Sequence, residues 1–136
     1  VWGDAQAVCL AYARTSIPEA PGGWRVQSEL PADWIARSAT GLFVVRVSGS
    51  PSPLDSRFDW LGQAIDVDAY VPADGGRASA LEAIHAFKTA LVEGAHVTGA
   101  GRTNSPPEIV TVPFKFPTTP PGVARYVAAF RAVFTA

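Results

Sequence analysis

Cysteine is almost missing from this sequence. Cys9 stands alone, so an internal disulfide and a thiolate zinc cluster are both excluded. Its apolar helical surroundings read as those of a small buried filler rather than a nucleophile. Methionine is absent even at position 1, which suggests a processed or trimmed start. Charge is sparse, at 17% of residues, and balanced: 11 Lys and Arg against 12 Asp and Glu. That balance excludes a protein that binds nucleic acid by neutralising many phosphates. No apolar run reaches the length of a membrane span and no signal peptide is visible, so the expectation is a soluble cytosolic protein with no membrane partner.

What is present is apolar and rich in arginine. Hydrophobic residues make up 48% of the 136 residues, enough for one conventional core in a single domain spanning 1–136. Nine of the eleven cations are Arg, the residue favoured at paired and interfacial positions. A poorly charged surface of this kind hints that part of it is covered by partners.

Periodicity gives an order of elements. Asp4 caps a helix over about 4–14, which ends before Pro18. "WRVQSEL" (24–30) alternates as a short strand, and 31–41 is a loop with at most one helical turn carrying Trp34. "LFVVRVSG" (42–49) and "FDWLGQAIDVDAYV" (58–71) are strands. The Pro- and Ser-rich stretch between them is too long for a tight turn and should project as a loop over 49–59. An apolar stripe of Ala80, Ile84, Phe87 and Leu91 marks the main helix, capped by Asp74 or Ser79 and stopped by Gly94. A long flexible loop over 95–107 follows, then strands at 108–116 and 123–134. The sum is an α+β fold: a mainly antiparallel sheet of about five strands with two helices packed on one face.

Chemistry is harder to find. Asp66 and Asp68 share one strand face, roughly 6.5–7 Å apart. Such a pair suits an acid–base couple or a metal, but it also suits the wet face of a strand whose other side is apolar. Arg46 lies on the matching face of the preceding strand and can oppose either Asp, an ion pair worth roughly 0.2–1 kcal/mol. A small metal-dependent hydrolase would need Asp66, Asp68 and His85 together, and no spacing supports that set. His96 falls in a loop. "GAGRTN" lacks the continuation of a phosphate loop, and the serines of 48–56 lack a nucleophile-elbow pattern. No catalytic residue, metal site or cofactor is indicated. Trp34 and Trp60, with Arg57, Arg102, Arg125 and Arg131, are binding-type residues instead, and the 49–59 and 95–107 loops look like docking elements.

The phrases "SELPADW", "LFVVRVSGSPSPLDSRFDWLGQAIDVDAYV", "GRASALEAIHAFKTAL" and "ARYVAAFRAVF" resemble, over about 4–134, the tail terminator proteins of long-tailed bacteriophages, particularly those of actinobacterial hosts. The resemblance implies a non-enzymatic virion protein, assembled in the host cytoplasm, that forms a six-membered ring at the head-proximal end of the tail tube. Such a ring ends tube polymerisation, contacts the tail tube protein, docks the head connector, and lets DNA pass through its lumen without sequence-specific binding. Carried onto this chain, it makes Arg46, Asp66 and Asp68 candidates for a subunit interface or the lumen. Arg57, Asp59 and Arg102 become candidates for contact with the tube or connector. Another head–tail ring component, such as a head-closure or tail-completion protein, is the neighbouring reading. A monomeric α+β binding module is a further one.

Overall fold

The structure is a computed structural model that describes residues 3–17, 24–55 and 60–136. Its elements are α1 (Ala5–Ser16), β1 (Arg25–Gln27), α2 (Trp34–Arg37), β2 (Leu42–Asp55), β3 (Trp60–Pro72), α3 (Arg77–Glu93), β4 (Arg102–Thr103), β5 (Glu108–Lys115) and β6 (Val123–Thr135). The α+β class expected from the sequence is what forms. The strands lie in the order β1-β2-β3-β6-β4, with β5 also paired to β6.

The sheet is mixed, not wholly antiparallel, because β1 runs parallel to β2. The reason lies in residues 28–41, a crossover long enough to hold α2. A connection of that length returns the chain in the same direction, whereas a hairpin would reverse it. All other pairings are antiparallel.

Alternation of side chains sets the core. Phe43 and Val45 of β2, Ile65, Val67 and Ala69 of β3, and Tyr126, Ala128 and Phe130 of β6 point to one face. Against that face pack α1, through Val8, Cys9 and Tyr12, and α3, through Ile84, Phe87 and Leu91. Phe87 sits between Phe43 and Phe130, with ring centroids 5.7 and 6.2 Å away, both within aromatic contact range. Two helices on one face is therefore borne out. The Asp4 carboxylate accepts from the Ala7 amide at 3.1 Å and starts α1 as expected. Gly94 ends α3 in the left-handed region, at φ 63°.

Four expectations are corrected. The main helix is capped by neither Asp74 nor Ser79: it begins at Arg77, after Gly76, without a side-chain cap. Residues 50–55 are strand, not loop, because β2 continues to Asp55 opposite β3 through two register shifts. The 95–107 segment is ordered. Val97 and Gly101 form a bridge and β4 pairs with the end of β6. Gly101, at φ 110°, lies so close to the Thr135 carbonyl that no side chain fits. The Tyr12 hydroxyl fastens the same segment, donating to the Ala95 carbonyl at 2.8 Å and accepting from the Thr103 amide at 3.2 Å. Lastly, the sheet face that carries the two Asp residues is not wet throughout. At one end Leu42, Val44, Tyr70 and Val123 make a second small core beneath Trp34 of α2. The Trp34 ring lies 5.3 Å from that of Tyr70, so Trp34 packs within its own chain.

A candidate interaction face on the polar side of the sheet

Alternation places Arg46 on β2, Asp66 and Asp68 on β3, and Arg125 on β6 on the face away from α1 and α3. In the β2–β3 register Arg46 stands directly opposite Asp66. The side chains pair differently. Arg46 Nη2 reaches diagonally to Asp68 Oδ2 at 3.5 Å, while the Ser48 hydroxyl donates to Asp66 Oδ2 at 2.7 Å. The main partner of Asp68 is Arg125, whose Nε and Nη2 donate to Oδ1 at 2.9 and 2.8 Å.

Burial separates the two carboxylates. The Asp68 side chain is only 4% exposed and lies between two guanidinium groups, whereas Asp66 is half-buried. A buried carboxylate is tolerable only when paired and hydrogen-bonded, which this arrangement supplies. Arg125 is held on its other sides by aromatic rings, 4.3 Å from the centroid of Phe116 and 5.7 Å from that of Tyr70. Burial first, and the neighbouring Asp68 charge second, raise the Tyr70 hydroxyl above its ordinary pKa, with the two arginines opposing. A cavity of about 250 Å³ opens here, with Thr111, Phe114 and Phe116 facing Arg46, Asp66 and Arg125. A second, of about 550 Å³, shares Arg46 and Asp66 and extends to Gln6, Ser28, Glu29 and Ser48.

The structure thus brings Arg46, Asp66 and Asp68 together, as three charged groups on adjacent strands. It adds Arg125, which the sequence marks as a binding-type residue but does not join to Asp68. The signal was present: Arg125 occupies the polar positions of the last strand, and only the β3–β6 register was needed to set it beside Asp68. Arg102 is elsewhere. It is exposed, on β4 opposite Thr135, eight residues along β6 from the Val127 that opposes Asp68, or roughly 26 Å. Arg57 and Asp59 lie outside the described residues.

The charges of this cluster are largely satisfied within the chain. Asp68 has its charge occupied by two arginines. His85 is exposed on α3, across the sheet from Asp66 and Asp68, so the three residues a hydrolase would need are kept apart. Among the described residues no group of three His, Cys, Asp or Glu side chains is placed to hold a metal ion. No helix is long and apolar enough to cross a membrane.

No family model matches the sequence, and no curated protein matches it. Solved structures do match. One is a chain from the virion of a native gene transfer agent particle, at a TM-score of 0.52 and 21% identity, covering 97% of this chain and 87% of that one. This chain shares its fold with a virion component. The similarity runs through nearly all the described elements, so it concerns the whole domain and not an isolated motif.

Proposed function

We propose that this chain is a structural component of a phage-like particle and acts as its tail terminator. In this reading it forms a ring, of six copies, at the head-proximal end of the tail tube. The ring ends tube polymerisation, offers a surface to the head connector, and leaves a lumen for DNA. The observation that carries the reading is a fold shared over 97% of the chain with a chain from a gene transfer agent virion. The phrases that resemble tail terminators run over the same extent of sequence. A site whose charges are already paired within the chain, and the absence of a metal-holding cluster among the described residues, favour an assembly role over an enzymatic one.

Within this reading Arg46 and Asp66 are the groups available to a neighbour or to the lumen, since Arg46 is 53% exposed and Asp66 is half-buried. Asp68 and Arg125 hold the floor beneath them. The near-neutral charge suits a channel through which DNA slides, because each neutralised phosphate would add salt-dependent affinity. Negative-stain imaging of the purified protein, alone and mixed with tail tubes of the same particle, tests the assignment. The expected result is a ring seated on one end of each tube and tubes that stop growing. Rings that bind only isolated connectors would favour the head-closure reading, and a monomer that ignores both would end it.

A further inference from the structure

Of the two carboxylates in the polar cluster, Asp66 is the one that no cation pairs with among the described residues. Its partner is a neutral group, the Ser48 hydroxyl, at 2.7 Å. Two arginines flank it in register and both are turned elsewhere. Arg46, directly opposite on β2, reaches to Asp68. Arg131 lies two residues along β6 from the Ala129 that opposes Asp66, and its Nη1 meets Glu108 Oε2 at 3.6 Å. A half-buried carboxylate without a counter-charge is costly, so it gains from a cation that reaches it with hydrogen-bond donors.

Asp66 opens onto the 250 Å³ cavity, and the volume sets the size of the guest. Sites for drug-sized ligands run to about 300–1,000 Å³, so this one suits a single long side chain. The walls set its chemistry. Val127 and Ala129 of β6 give a short apolar floor, fit for a methylene stem. Phe114, 44% exposed, stands on the β5 side across from Asp66, with Thr111 beside it. The chain itself shows what such a pair of walls holds. Two residues beyond Phe114, the Phe116 ring carries the Arg125 guanidinium at 4.3 Å, and that guanidinium donates to Asp68 at 2.9 and 2.8 Å. A second guanidinium between Phe114 and Asp66 repeats the arrangement one step along the sheet.

We propose that this cavity is a socket for one arginine side chain of a partner protein. Its guanidinium donates to Asp66 and to the Thr111 hydroxyl and stacks on Phe114. The socket deepens the assembly reading above and rests on it only for the partner's being a neighbour in the particle; binding of an arginine by the isolated chain requires no ring. An anionic guest is disfavoured, because Arg125 is committed to Asp68 and the free carboxylate of Asp66 faces the same space. Arg46 lines the cavity too, so it competes with the guest for Asp66.

The test is an NMR titration of the isotope-labelled chain with blocked tripeptides whose central residue is arginine, citrulline or glutamate. Citrulline keeps the shape of arginine without its charge. The arginine peptide is expected to bind with a dissociation constant on the order of 1 mM and to shift the amides of Asp66, Thr111 and Phe114. Citrulline should bind at least about tenfold more weakly, and glutamate should leave those amides unmoved. Asp66→Asn keeps an acceptor for Ser48, so it should fold, and should weaken the arginine peptide at least about tenfold. Phe114→Leu should weaken it about two- to fivefold. Arg46→Gln removes the competitor and should tighten it about two- to fivefold. Citrulline binding as well as arginine, a preference for glutamate, an indifferent Asp66→Asn protein or weaker binding to Arg46→Gln would each overturn the socket. So would the lack of any saturable shift with the arginine peptide, and rings seen on tubes would then leave the assembly reading standing. Arginine binding by a chain that images only as a monomer would keep the socket and remove the ring.

Discussion

Replacing Asp68 by Asn should unfold this protein more readily than any other conservative change on the polar face. Asn keeps the size of the side chain but removes the charge that both arginines share. Arg125 makes two short bonds to Oδ1, at 2.9 and 2.8 Å. Hydrogen bonds to a charged group contribute about 1.5–3 kcal/mol each, against about 0.5–1.5 for neutral ones, so losing the charge costs about 2–3 kcal/mol across the pair. The Arg46 contact, long at 3.5 Å and on a half-exposed side chain, adds under about 0.5 kcal/mol. Some further cost comes from leaving Arg125, 27% exposed, against Phe116 and Tyr70 without an anion. The sum is about 2–4 kcal/mol. At roughly 3–4 °C per kcal/mol for a chain of this length, the melting temperature should fall by about 6–16 °C. Urea titration at neutral pH, followed by circular dichroism, measures the same loss with the slope unchanged. Asp66→Asn is the control. It keeps an acceptor for Ser48 on a half-buried side chain and should cost under about 1 kcal/mol. Equal losses for the two variants, or an Asp68→Asn protein within 1 kcal/mol of the parent, would refute the view that Asp68 organises this face.

Two further predictions concern the helix side. Tyr12→Phe removes the hydroxyl that joins α1 to the 95–103 segment and leaves the buried Thr103 amide without that partner. It should cost about 1–3 kcal/mol, with hydrogen exchange rising first at residues 95–103 and not in β3. Burial holds the Cys9 thiol far above its ordinary value of 9.0. It should therefore resist a thiol reagent at pH 8 until urea unfolds the chain. Because the unfolded thiol ionises above about pH 9 while the folded one does not, this residue makes stability fall as pH rises past 9. Cys9→Ala should flatten that slope, and rapid labelling of the folded protein would contradict the burial.

Local pattern carried much of the fold. The stripe Ala80, Ile84, Phe87 and Leu91 became the buried side of α3, and the alternation around Asp66 and Asp68 put them on the face away from both helices. Gly94 stopped its helix for the reason expected. Non-local facts were the ones that escaped. The direction of β1 depends on where a crossover returns the chain, which no window of residues 24–30 reveals. The prolines at 51 and 53 argued for a loop, yet β2 runs through them. The position is an outer one, beyond the reach of β1, where a missing amide costs little. At the site, alternation was enough to assign the shared face, but the Arg46–Asp68 and Arg125–Asp68 pairs required the register of three strands.

Apolar residues are covered unevenly across the sheet. Beneath α1 and α3 the sheet is closed: Phe43, Phe87, Phe130 and Phe134 are fully buried. At the other end of the polar face, four-residue α2 lies over Tyr70 and Leu42 through Trp34. Strand β5 receives neither kind of cover, although it carries Ile109, Val110, Val112 and Phe114. Full burial of such side chains stabilises by about 1.5–3 kcal/mol each, so leaving four of them in water forgoes several kcal/mol that another surface can recover. Pro113 takes an amide out of β5, and two register shifts distort the strand against β6, features that disfavour the addition of another strand. The same features leave the side chains accessible for a shaped partner. An edge guarded against indiscriminate pairing thus stands beside apolar side chains left open, and the two features have one cause: the proline and the bulges that spoil the ladder also keep the strand from being covered.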